Sequence, residues 1–241
     1  MNGNALQIAR QAAQELGLPA PAELVTSQEQ TSIQMLGLLN AAGNELLNIF
    51  EWQFLNKTFL LNTIAGNGKY AIPSDVSRII NQTMWDYGNR RPAYGPVSSQ
   101  GWQVLTNALI SVGPFARYRV VDNSIEILPI PGQSDHIFDF QYVSNGWVHN
   151  YLDPALYTSF ILNDLDTPLF DFWLLVKLLK VKMWQAKGLD TTAYMADFAR
   201  TLDALTGMDH GAPVLGLANT FKTPWLTMYN VPDGNWNTNA N

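Results

Sequence analysis

The sequence predicts an α+β fold: a helical bundle from N- and C-terminal helices, an inserted antiparallel β module, and an extended C-terminal tail. Three observations carry this. Apolar residues recur at helical spacing in residues 4–51 and again in 170–205. Between them the period falls to two and turn signals multiply. From residue 209 the composition shifts to proline, glycine, asparagine and isolated aromatics, with almost no charge. Residues 1–56 and 165–208 are therefore assigned to one discontinuous bundle, 57–164 to the β module, and 209–241 to the tail.

Residues 4–17 place Leu6, Ala9, Ala13 and Leu16 on one helical face, with Gly17 as the stop. Residues 27–51 form a long helix, opened by Thr26 or Ser27, with Ile33, Leu36, Leu39, Gly43, Leu46 and Phe50 along one side. The small run Ala41-Ala42-Gly43 would let a neighbouring helix approach closely. From Glu51 the pattern alternates through Phe59, Leu61 and Ile64. Gly66-Asn67-Gly68 is a hairpin signal, and Tyr70-Ala71-Ile72 returns to Pro73. Arg78–Asp86 is β-rich, with a second hairpin turn at Tyr87–Arg91, where Arg90 and Arg91 read as solvated. Residues 97–109, with Trp102, Leu105 and Leu109, give a short helix lying on the sheet. Tyr118–Val121 and Ser124–Leu128 flank Asp122-Asn123 as a hairpin, and His136–Ser144 is the last strand.

Residues 170–205 read as two helices joined at Lys187-Gly188-Leu189-Asp190. Thr167 or Asp166 is placed to cap the first behind Pro168. Gly188 suits the left-handed turn that ends it, and Asp190 or Thr191 the cap of the next. The first helix carries Phe172, Trp173, Leu175, Val176, Leu179, Met183 and Trp184. That apolar stripe is wider than a surface helix shows, so it needs partners on more than one side.

Composition narrows the function classes. The 241 residues are 47% hydrophobic and only 14% charged, a balance that fits burial of much surface in an assembly. The net charge of −6 argues against a general DNA-binding surface but permits a local basic strip. The absence of cysteine rules out disulfides, thiolate catalysis and zinc–sulfur sites. No basic-apolar leader and no apolar run of membrane-spanning length is present, so the expectation is folding in a cytoplasm.

No catalytic constellation stands out, and neither a cofactor nor a metal is expected. His136, His149 and His210 lack metal-ligand spacing. Asp164, Asp166 and Asp171 resemble a calcium loop in residue type but lack the glycine and distal glutamate of an EF-hand, and helix capping is the simpler account. Lys177, Lys180 and Lys187 fall on roughly one helical face. They read either as the wet side of a packed helix, or as a basic strip facing DNA or a neighbouring subunit. In the tail, Phe221, Trp225, Tyr229 and Trp236 are read as docking residues, because exposed aromatics without a core of their own imply a partner.

The order of these signals resembles the head-to-tail adaptors of tailed bacteriophages, the class of tail tubular protein A and related ring-forming head-completion proteins. The resemblance is carried by Asn40–Leu55 with its Trp52 turn, then by Phe59 to Thr63 with Gly66, Tyr70 and Ile72-Pro73-Ser74-Asp75. Trp85-Asp86, Arg91-Pro92, Gly95-Pro96 and Trp102 continue it. Ile125–Pro131, Phe140–Val143, Leu174-Leu175, Trp184, Lys187–Asp190 and Tyr194 complete it. It spans roughly residues 30–206 and leaves the tail uncovered. The resemblance implies a non-enzymatic virion protein, made in the host cytoplasm, whose ring of twelve copies lies below the portal and above the tail nozzle or tail tube. Genomic DNA would pass through its lumen without sequence-specific binding. The alternative is a carbohydrate-binding or depolymerising tail component, using Trp85 or Trp102 of the β module to stack on sugars.

Overall fold

A computed structural model describes residues 3–107, 115–153 and 155–209 of the protein. The chain divides into two units, Met1–Asp209 and His210–Asn241. The expectations for Phe221, Trp225, Tyr229, Trp236, His210 and Leu109 lie outside the described residues.

The first unit is an α+β assembly with a helical core and a separate β core. Helix α1 (Ala5–Glu15) opens with a capping box: Asn4 Oδ1 accepts from the Gln7 N–H at 2.8 Å, and the Gln7 side chain accepts from the Asn4 N–H. Its buried face is Ala5, Ile8, Ala9, Ala12 and Ala13, small enough for close helix packing. Helix α2 (Gln30–Ile49) buries Met35, Leu39, Ala42, Gly43 and Leu46, while Ile33 turns outward. Helix α4 (Phe172–Ala186) buries Leu174, Leu175, Val176, Leu178, Leu179, Val181 and Met183. It is apolar on several sides because α1, α2 and α5 (Thr192–Asp209) all pack on it. Its wide stripe is thus largely satisfied inside the subunit.

Gly188 ends α4 at φ +68°. Its N–H donates to Gln185 O, and the Leu189 N–H reaches back to Trp184 O at 3.0 Å, the paired bonds of a glycine-terminated helix. Asp190 then accepts from the Thr192 N–H at the start of α5. The cap of α4 itself differs from expectation. It is Asp171, accepting from the Trp173 and Leu174 N–H groups, while Pro168 lies in a short strand.

Strands β1 (Asn56–Asn62), β3 (Val76–Ile79), β4 (Trp85–Asp86), β5 (Arg91–Pro92) and β8 (Ile137–Ser144) form one antiparallel sheet around β8. Strands β2 (Lys69–Ala71), β6 (Arg117–Val121) and β7 (Ser124–Leu128) form a second. Between them Phe138, Phe140, Tyr118, Ile125 and Ile127 make the β core. The β6–β7 hairpin is as expected, with Asp122 and Asn123 both at positive φ, the backbone a two-residue primed turn demands. Helix α3 (Ser99–Asn107) buries Trp102, over which the Arg119 guanidinium lies at 4.7 Å.

Three expectations are corrected here. Gly66-Asn67-Gly68 does not close a hairpin: β1 pairs with β8 and β2 with β7, so the turn carries the chain between sheets. Its local bonds explain this, since the Gly66 N–H donates to Pro131 O and Gly68 O accepts from the Ile127 N–H. The second correction is that β8 is not the last strand. β9 (Val148–His149) lies between β10 (Tyr157–Thr158) and β11 (Thr167–Pro168) in a small third sheet. Thirdly, Gly43 does not receive a helix. A Cβ there would lie 2.2 Å from Cζ2 of Trp147, which enters the bundle from the loop after β8. Trp147 is fully buried, and its Nε1 donates to Ser159 O at 2.9 Å.

Candidate functional site

The residues singled out in the sequence do not converge on one centre. The three aspartates hold backbone. Asp164 accepts from the Leu24 and Val25 N–H groups, Asp166 from Tyr151, Leu162 and Asn163, and Asp171 from the first turn of α4. Capping therefore describes Asp171, while the other two fix loops. His149 stacks edge-on with Tyr157 in the third sheet. His136 bonds the nearly buried Asp86 beside a hollow of about 330 Å³, also lined by Asn89, Pro131 and Gln133. Asp86 also accepts from the Asn89 N–H and Nδ2, so this pair pins the β4–β5 turn to the 131–136 loop.

The three lysines separate. Lys177 Nζ reaches Asp197 at 3.1 Å and Thr201 at 2.8 Å, both on α5. Lys180 is buried, bonded to Glu15 of α1 and lying over the Tyr194 ring. Lys187 is exposed and lies 5.5 Å from the Trp184 ring, with no carboxylate at ion-pair distance among the described residues. The first two join helices within the subunit. Of the tryptophans proposed to stack on sugar, Trp85 is partly exposed and Trp102 is buried beneath Arg119.

Asp75, in the Ile72-Pro73-Ser74-Asp75 run, ties the sheet together. It accepts from Lys57 Nζ at 2.8 Å, Ser144 Oγ at 2.9 Å and the Tyr142 hydroxyl at 3.1 Å. Partial burial disfavours its ionisation, but the bonds from Lys57 and Ser144 and the Lys57 charge outweigh that and hold its carboxyl below the ordinary value. Burial and the Asp75 charge push the Tyr142 hydroxyl up to about 12. Glu15 is likewise held low: burial opposes ionisation, and bonds from Gln11 and Lys180 with the Lys180 charge prevail. A carboxyl lowered on folding adds stability above its unfolded pKa, about 3.9–4.3, and that stability is lost as pH falls through the folded value. Urea unfolding should therefore show stability falling on acidification below about pH 5. Asp75→Asn should be less stable at neutral pH and lose less on acidification. An equally steep acid limb in that variant would remove Asp75 from the account.

The feature that sequence reading missed lies in residues 151–165. Seven large apolar side chains there are exposed: Tyr151, Leu152, Leu156, Tyr157, Phe160, Leu162 and Leu165. They have neither helical nor strand period, so no pattern marks them. Yet their backbone is fixed. The fully buried Asp166 carboxylate takes three N–H groups of this region at 2.8–3.0 Å. Asn40 Oδ1 accepts from the Ile161 N–H, and Trp147 Nε1 donates to Ser159 O. Scattered exposed apolar residues need no explanation, but seven within residues 151–153 and 155–165 is a local concentration of exposed apolar surface. No helix among the described residues is long and apolar enough to cross a membrane.

The family model described as SU10 adaptor protein matches residues 4–216. No curated protein matches the chain.

Proposed function

The chain belongs to the SU10 adaptor protein family, a family of phage head-to-tail adaptors, and from that premise we propose a ring of twelve copies seated below the portal. The ring extends the DNA channel and offers its lower face to the tail nozzle or tail tube. Its role is structural and non-enzymatic.

The observation that carries this reading is the set of exposed apolar side chains in residues 151–153 and 155–165, whose backbone Asp166 and Asn40 hold. A surface already fixed before binding loses little conformational freedom on docking, which favours association. In a closed cyclic ring each copy contacts its two neighbours through different faces, so one apolar display per subunit is used around the whole ring. The second contact is the tail, whose Phe221, Trp225, Tyr229 and Trp236 dock on the portal or on a neighbouring subunit. DNA passes through the lumen with weak contacts only, since tight binding would stall ejection.

The experiment is removal of residues 210–241. The cut spares Asp209, which accepts from the Gln53 N–H at 2.8 Å. The shortened chain should keep the melting behaviour of the folded unit and fail to co-sediment with its portal. Unchanged portal binding would show that the tail is not the docking element.

A further inference from the structure

We propose that the β module carries a phosphate-binding arginine patch, Arg90, Arg91 and Arg117, that contacts the backbone of duplex DNA. The proposal rests on the channel reading only for the source of the DNA; binding itself is a property of the subunit.

The sequence from Arg90 to Val121 contains four arginines and no acidic residue. It carries +4, and the other 209 residues carry −10, which together give the net −6. The fold gathers these charges from three elements. Tyr94 bridges in parallel to Arg117, with the Tyr94 N–H donating to Ala116 O at 2.8 Å and the Tyr118 N–H to Tyr94 O at 3.0 Å. That register stacks side chains in a row. The Arg91 guanidinium lies 5.8 Å from the Phe115 ring, Phe115 meets Tyr94 edge-on at 5.3 Å, and the Arg117 guanidinium lies 5.5 Å from the Tyr94 ring. Arg90 is exposed at the adjoining turn, at φ +53°.

Arg119 shows the contrast. It carries its own counter-charge, pairing with Glu126 at 2.6 Å. Among the described residues no carboxylate lies at ion-pair distance from Arg90 or Arg117, and the Arg117 Nε is buried without a hydrogen-bond partner. Arg117 is held by a ring face. A guanidinium lying over a ring keeps its permanent charge, and its remaining N–H groups form the fork that matches a phosphate. Arg90 and Arg117, with no carboxylate at ion-pair distance among the described residues, leave positive charge for a line of counter-charge to meet. Duplex DNA supplies one charge per about 3.4 Å along each strand.

The test is fluorescence anisotropy of a labelled 30-bp duplex with the full chain across a salt series. Wild type should bind weakly at about 50 mM salt. Each phosphate contact adds about −0.9 to the slope of log affinity against log salt. The R90A/R91A/R117A variant should therefore lose at least tenfold in affinity and flatten the slope by about 2.7. K177A/K187A should bind as wild type does. The arginine variant should still assemble on the portal, which separates this proposal from the ring reading. If the triple variant misfolds by circular dichroism, R90A/R91A, which leaves β6 intact, should show a smaller loss in the same direction. No binding by wild type, wild-type affinity in a folded arginine variant, or loss in the lysine variant instead would overturn the proposal. Equal competition by polyglutamate at matched charge would overturn it in favour of an acidic protein partner.

Discussion

Replacing Trp147 by alanine should destabilise the folded unit by about 3–5 kcal/mol, as expected for a fully buried tryptophan. In a unit of this size that is a fall of roughly 6–20 °C in melting temperature. Trp147 joins three parts of the chain. Its ring sits on Gly43 of α2, lies 5.9 Å from the Phe170 ring, and its Nε1 bonds Ser159 in the apolar segment. Removing it opens a cavity and leaves the Ser159 carbonyl without its indole donor. Gly43→Ala should act from the other side, costing about 1–3 kcal/mol because its methyl would overlap the indole. The two changes share one space, so they should not add. The double variant should lose at least about 1 kcal/mol less than the sum of the singles. Urea unfolding of the four proteins measures this, and simple additivity would mean the indole does not depend on the missing Cβ.

Asp166→Asn should act locally. The fully buried carboxylate serves three N–H donors, and an amide in its place turns a donor toward them. A buried donor left unpaired costs about 1–3 kcal/mol. The loss falls on residues 151–163 rather than on the helices, whose contacts with one another are untouched. Hydrogen exchange should quicken there while α4 stays protected, and assembly on the portal should weaken. Unchanged exchange at Leu162 and Asn163 would show that the carboxylate does not hold the segment.

What the sequence made legible follows the range of the interactions. Helices α1 and α4 announced themselves through spacing and their glycine stops, Gly17 and Gly188, and the β6–β7 hairpin through Asp122-Asn123, because these signals are local. The glycine turn at 66–68 looked like a hairpin because turn chemistry is local while the partners of β1 and β2, β8 and β7, are not. Gly43 was read correctly as a place of close approach, but its occupant, Trp147, comes from outside any helix. The third sheet has strands two residues long, too short for any period. Helical spacing put Lys177 and Lys180 near one another, but could not show Asp197 and Glu15 waiting on other helices. The apolar segment 151–165 has no pattern of its own, since its shape comes from Asp166, Asn40 and Trp147. The arginine row escaped notice because the bridge at Tyr94 that brings Arg117 toward Arg91 is a long-range contact, although the acid-free run from Arg90 to Val121 was open to reading.

The most direct measurement is the native mass of the purified chain, alone and mixed with its portal. If neighbours cover the ordered apolar segment, the chain alone should be a monomer and the mixture should contain portal bearing a closed ring of twelve chains. A chain that stays monomeric beside its portal, with residues 151–165 as exposed to solvent as before mixing, would contradict that account.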